Sequence, residues 1–130
     1  MKKLLYAILT SITLFAGERS SQWPGVRKQY LSIHARCEAC GTLKSPQVHH
    51  IIPVNTDASK ELDMDNLITL CKGNCHLKIG HGGSYKYYNP EVRRHSSMLL
   101  NGDSYDRIVT IAKQSRIINK NNGEKNDRKN

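Results

Sequence analysis

Large aromatic side chains are scarce: among 130 residues stand one tryptophan, one phenylalanine and six tyrosines, and mean hydropathy is −0.58. So poor a supply of bulky apolar groups excludes a broad hydrophobic core, and a domain of this size then needs another staple. Negative charge is short as well. Eleven acidic residues face 20 lysines and arginines, for a formal net charge of +9. That imbalance points to a polyanionic partner, nucleic acid first and an anionic membrane surface second. No internal repeat is present, which removes solenoids and propellers. No apolar run reaches the ~20 residues of a membrane-spanning helix. The longest, Leu4 to Ala16, follows Lys2 and Lys3 and has the charge and apolar core of a secretory signal. Its cut site is poor, because Leu14 is bulky where a small residue is expected. The stretch is read as an amphipathic helix that packs on the domain or a partner, with an exported or membrane-associated protein as the alternative.

What the chain does have is four cysteines in two close pairs, Cys37-Glu-Ala-Cys40 and Cys71-Lys-Gly-Asn-Cys75, the second followed at once by His76. Two disulfides are one way to use them. Pairs this tight, with a histidine beside the second, read instead as ligands of a tetrahedral zinc. Zinc thiolates suit a reducing cytoplasm, where structural disulfides are rare.

The helical spacing of Val26, Tyr30 and Ile33 predicts a helix from Trp23 to about His34, with Ser20 or Ser21 as cap and Pro24 in the first turn. Cys40-Gly41 is a tight turn. Gln47 to Ile52 is a short β-branched run that reads as a strand, ended by Pro53. Asn55 to Asp65 is polar and reads as a loop, Leu67 to Leu70 as a second apolar run. A helix starts near Cys71 or Asn74 and stops at the glycines Gly80, Gly82 and Gly83. Tyr85-Lys-Tyr-Tyr88 is an aromatic-basic cluster. Glu91 to Leu100 and Asp103 to Ile118 read as helices, the latter from Ile108, Ile111, Ala112 and Ser115. The Asn-, Lys- and Asp-rich end from Asn119 is expected to be disordered. The divisions are therefore 1–17, an apolar leader or helix; 18–95, the domain; 96–118, a C-terminal helix; and 119–130, a polar and basic tail.

Several of these pieces together resemble the HNH endonucleases, in particular the small phage-type members. The resemblance is carried by Arg19-Ser-Ser-Gln-Trp-Pro, Cys37-x-x-Cys40, Val48-His-His-Ile-Ile-Pro53, Asn66-Leu-Ile-Thr-Leu-Cys71, Cys75-His76, and Gly80-His81 with Tyr88-Asn-Pro90. It covers a little over half the chain. The second cysteine pair has three intervening residues where the commonest pattern has two. The resemblance implies a small α+β fold: a ββα-metal, treble-clef-like core stapled by a structural zinc, with flanking helices. Small phage relatives often carry a short N-terminal helix, which fits residues 1–17.

It also implies roles. His50 is the candidate general base, suited by an ordinary histidine pKa of about 6.5. His49 and His76 are candidate ligands of a catalytic divalent metal (Mg2+, Mn2+, Ni2+ or Zn2+). His81 is a weaker third candidate, because five residues along an ideal helix is about 140° around its axis. Adjacent strand residues face opposite ways, so His49 and His50 take different parts. Asn66 is suited to tie its loop to the backbone beside His50. Cys37, Cys40, Cys71 and Cys75 hold the structural zinc. His34 and His95 lack motif context and read as surface or packing residues. Arg27, Lys28, Lys72, Lys78, Lys86, Arg93 and Arg94 are candidate phosphate contacts, as a set more than singly.

The function expected is a metal-dependent DNA endonuclease of phage or prophage type, acting on double-stranded DNA in the host cytoplasm, with phage packaging proteins as candidate partners. The alternatives are a zinc-stapled module that binds nucleic acid without cutting, and an exported nuclease. A pure binding module has no need of His49, His50, Asn66 and His76 together.

Overall fold

The computed structural model describes residues 18–127; the apolar stretch 1–17 lies outside them. Helix α1 spans Trp23–Ile33 with Pro24 in its first turn. Neither serine caps it by a side-chain bond from the cap position, which Gln22 holds. Ser20 acts from further back: its Oγ accepts from the Gln22 N–H at 3.2 Å and its carbonyl from the Trp23 N–H at 3.0 Å. Of the expected apolar face, Tyr30 is buried and Ile33 is 68% exposed, since no layer covers the last turn.

The chain then makes a knuckle. Gly41 takes φ +74°, as the tight turn requires. Its N–H donates to the Cys37 carbonyl at 2.8 Å, and Cys37 N–H to Thr42 O at 2.9 Å. Strands β1 (Pro46–His50) and β2 (Leu67–Cys71) follow, paired antiparallel with His49 opposite Ile68 and His50 opposite Leu67. β1 ends two residues short of the expected Ile52, because Ile51 and Ile52 turn their N–H groups onto Asn66. In β2 the run Leu67 to Leu70 is wholly buried. Its outer edge is not left bare: Glu38 N–H donates to Thr69 O at 2.9 Å and the Tyr30 hydroxyl to Leu67 O at 2.8 Å.

The loop between the strands is less irregular than expected. It holds two 3-10 turns, Ala58–Lys60 and Met64–Asn66, each started by an aspartate side chain (Asp57, Asp63) that accepts a backbone N–H two residues on. After β2 comes one turn at Asn74 and Cys75, then a wide π-helical turn, His76–Gly80. Helices α2 (Val92–Leu100) and α3 (Tyr105–Asp127) complete the chain. α3 continues past Ile118, where loss of structure was expected. The polar stretch lacks apolar packing groups but contains no proline, and its Asn, Lys and Glu residues are tolerated in helices.

The architecture is thus small α+β, with one two-stranded sheet and surrounding helices. The core is small, as the composition requires: Cys37, Ala39, Ile68, Leu70, Cys75, Ile79, Val92 and Ile108, with Tyr105 at its margin. Two of those eight are cysteines, so the sulfur cluster is itself part of the core. Among the described residues, no helix is long and apolar enough to cross a membrane.

Candidate active site

The knuckle and the end of β2 bring all four cysteines together. Their sulfurs lie within 4.8 Å of one another, and those of Cys40 and Cys71 are 3.8 Å apart. Tetrahedral Zn–S bonds of about 2.3 Å imply a sulfur separation of roughly 3.8 Å, so the donor set fits one ion. All four are free thiols, not disulfides. A hydrogen bond from Cys75 pulls Cys37 down to about 4, against burial, and that same bond, with burial, pushes Cys75 up. One thiolate forms readily at Cys37, while burial raises Cys40 and the shared hydrogen bond raises Cys75. The Tyr105 hydroxyl lies 3.1 Å from the Cys75 sulfur. Burial, then the nearby thiol, holds Tyr105 protonated, so it can donate to a Cys75 thiolate.

Beside the cysteines, His49, His76 and His81 form a second cluster. Their ligand nitrogens also lie within 4.8 Å of one another, and their rings stand 5.0–5.1 Å apart, edge to face. Nε2 of His49 is buried and makes no hydrogen bond among the described residues. A buried ring nitrogen facing two other imidazoles is a donor set that could hold one metal ion. Burial first, then the charges His76 and His81 would carry, lowers His49 to about 3; burial also lowers His76. Both are therefore neutral, the form that ligates metal. Gly80 makes room for the ring: a Cβ there would sit 3.2 Å from His49 Cε1, 3.3 Å from Nε2 and 3.0 Å from Leu70 Cδ1.

His81 joins the cluster fully, against its low ranking from helical geometry. The chain here is not an α-helix. His81 N–H bonds to His76 O at 3.1 Å, an i→i+5 closure that stacks the fifth residue over the first. Nδ1 of His81 donates to Tyr87 O at 2.6 Å, which leaves Nε2 as the free lone pair. The exposed Tyr85 ring lies 4.9 Å from that of His81 and 6.0 Å from that of His76, at the mouth of the cluster.

His50 faces the other way, as strand alternation requires, and is not part of this cluster. Its Nε2 lies 2.9 Å from Glu61 O. A carbonyl only accepts, so Nε2 carries the proton and Nδ1 the lone pair. The Trp23 ring covers the imidazole at 4.4 Å, and Arg19 lies over Trp23 at 5.1 Å. The Glu61 carboxylate accepts from Ser20 N–H at 3.2 and 3.1 Å, with Arg19 3.9 Å away. Burial lowers the His50 pKa below its ordinary value. Asn66 is the latch beside it. Its Oδ1 accepts from Ile52 N–H at 2.8 Å, and its Nδ2 donates to Ile52 O at 2.9 Å and Lys60 O at 3.1 Å.

Sequence reasoning used Arg19 and Trp23 for the resemblance but gave neither a place in the site, and it gave Glu61 none. Trp23, the chain's lone tryptophan, carried a visible signal. Glu61 carried none, because it meets His50 through its backbone. Arg93, expected on a phosphate surface, is tied down instead: it donates to Glu38 at 3.1 Å and to Leu67 O at 2.8 Å, bracing α2 on β2. Lys78 lies over the Tyr105 ring at 4.9 Å and Arg94 pairs with Glu91. Arg27, Lys28, Lys72 and Lys86 are exposed and form no ion pair among the described residues. His34 is exposed and stacks on Tyr30; His95 is fully buried, with Asn89 Nδ2 2.7 Å from its Nδ1.

Residues 37–82 match the family model described as HNH endonuclease. No curated protein and no solved structure matches the chain.

Proposed function

We propose, from the premise that residues 37–82 are an HNH endonuclease domain, that the chain hydrolyses DNA phosphodiester bonds with a divalent metal held by His49, His76 and His81. The observation that carries this is the buried, unpartnered Nε2 of His49 among those histidines, next in sequence to a His50 whose tautomer is set. Nuclease activity follows from the domain. Its details are drawn from the residues.

His50 is the general base. Glu61 O holds the Nε2 proton, and Nδ1 accepts one from the attacking water. Trp23 keeps the imidazole in place and dry on one side. Asn66 fixes the backbone of Ile51 and Ile52, so the turn after His50 cannot drift. When bound, the metal would stabilise charge on the phosphoryl and leaving oxygens. Mg2+, Mn2+, Ni2+ and Zn2+ are the candidate ions; three imidazoles favour the later transition metals.

The four thiols hold a structural zinc that locks the knuckle to the end of β2, and sheet and turn then form a ββα-metal core of treble-clef type. The substrate is double-stranded DNA, bound through phosphates, with phage packaging proteins as candidate partners and the host cytoplasm as the site of action. A plasmid-nicking assay with and without EDTA tests the reading. Cutting should need metal, and His50→Ala should reduce it about 10²–10⁴-fold with the fold intact. Undiminished cutting by His50→Ala removes His50 as the base. DNA binding without cutting under every metal favours a pure binding module.

A further inference from the structure

We infer that Arg116, on α3 and outside the matched domain, is a positioning residue for His81, the third histidine of the metal cluster. This rests on the reading of His49, His76 and His81 as a metal site.

His81 follows the π-turn and precedes two glycines with positive φ, Gly82 (+55°) and Gly83 (+88°). Left alone, such a segment is the loosest part of the cluster. α3 holds it. Nη2 of Arg116 donates to His81 O at 2.7 Å and to Gly82 O at 3.0 Å. The same guanidinium lies over the Tyr87 ring at 4.4 Å. Tyr87 is the residue whose carbonyl takes the His81 Nδ1 proton at 2.6 Å. Arg116 therefore grips both ends of the contact that turns His81 Nε2 toward the cluster. The approach is close. A Cβ on Gly82 would collide with Arg116 Nη2 and come within 3.0 Å of Ala112 Cβ, and one on Gly83 would meet Val109 Cγ1 at 2.9 Å. The two glycines let the backbone lie against α3, and Arg116 fastens it there.

The role has a sign that separates it from simple electrostatics. A cation near a metal site repels the metal, so removing it should tighten binding if charge were its effect. Positioning gives the opposite result, because support of a ligating histidine is worth about 10–100-fold in affinity. Lysine is a poor substitute, since its ammonium lacks the planar face that the guanidinium lays on Tyr87 while donating to the two carbonyls.

The test uses the full chain with its four-cysteine site loaded with zinc, titrated with Ni2+ by calorimetry. Wild type should bind one equivalent. Arg116→Ala should bind at least tenfold more weakly, with zinc content and helical signal unchanged, and Arg116→Lys should also lose affinity. In a His81→Ala background, Arg116→Ala should cost nothing further, since the residue it positions is gone. If Arg116→Ala does not fold, Arg116→Gln takes its place in both backgrounds. Equal or tighter binding by the variants overturns the inference, and so does an equal loss in the His81→Ala background. Failure of wild type to bind Ni2+ overturns it together with the metal reading. Binding and positioning as expected, with no cutting of DNA, removes the nuclease reading alone.

Discussion

His76 and His81 share one face of their turn because the His81 N–H reaches back five residues to the His76 carbonyl, at 3.1 Å. On an α-helix the fourth residue, not the fifth, would lie there. A π-turn is an α-turn with one residue added, and Lys78 stands in its middle. Deleting Lys78 should restore α-helical closure and leave the two imidazoles together, with Ni2+ affinity within about tenfold of wild type. Inserting an alanine after Lys78 should swing His81 away and lose affinity by 10–100-fold or more, as displacing a ligand does. Equal losses in the two variants would mean that the turn's width is not what aligns the histidines.

The sulfur cluster should carry the fold. Cys37 and Cys75 are fully buried core members, and the core around them is small. With zinc as the ion proposed for these thiols, its binding free energy would be folding free energy, on the order of 10 kcal/mol. Cys40→Ser or Cys71→Ser should leave the chain largely unfolded and zinc-free by circular dichroism and metal analysis. A stable, folded, zinc-free protein would contradict this.

Much of this was legible because the signals were local. The cysteine spacings pointed to four sulfurs brought close enough to hold one metal ion, and the alternation at His49 and His50 gave them separate faces. The apolar run Leu67 to Leu70 marked a buried strand. Features set by backbone geometry or distant contacts were not legible. The π-turn depends on a hydrogen-bond choice that composition does not encode. Glu61 acts through its carbonyl, which every residue possesses. Arg93 looks like any surface arginine until β2 presents Leu67 O to it. Arg116 lies 35 residues from the histidine loop it holds.

Asn66 makes three side-chain hydrogen bonds from a buried position. Asn66→Ala should cost about 1–3 kcal/mol in chemical denaturation. Asn66→Asp should be no better, because a carboxylate cannot donate to Ile52 O or Lys60 O. Cutting should fall further than the loss of folded protein explains, since the turn after His50 is released. A variant of full specific activity would reduce Asn66 to an ordinary loop residue.

His95 gives a pH dependence. It is fully buried, and burial lowers its pKa in the folded chain. Glu91 pulls the value back up and Arg94 adds to the lowering. Above the unfolded value of about 6.5 both states hold it neutral. Below that, the unfolded chain takes up a proton that the folded chain resists, so stability falls as pH drops. His95→Gln should be less stable at pH 7 but flatter between pH 7 and 5, by up to about 1.4 kcal/mol per pH unit. Parallel curves for the two proteins would show that His95 charges as easily folded as unfolded.

Binding to duplex DNA should separate the free cations from the committed ones. Arg27 and Lys28 project from α1 with no acidic partner among the described residues, whereas Arg93 is bonded to Glu38 and Leu67 O. Measured on His50→Ala across salt concentrations, affinity should fall steeply, as expected of phosphate contacts and a net charge of +9. Arg27→Ala and Lys28→Ala should each lower the salt slope by about 1 if they touch phosphate, while leaving the melting temperature unchanged. Arg93→Ala should do the reverse, leaving the slope and lowering the melting temperature, because it removes the brace between α2 and β2. A flat salt response with preference for one sequence would overturn the phosphate-dominated view, since direct readout of base edges is then what holds the DNA.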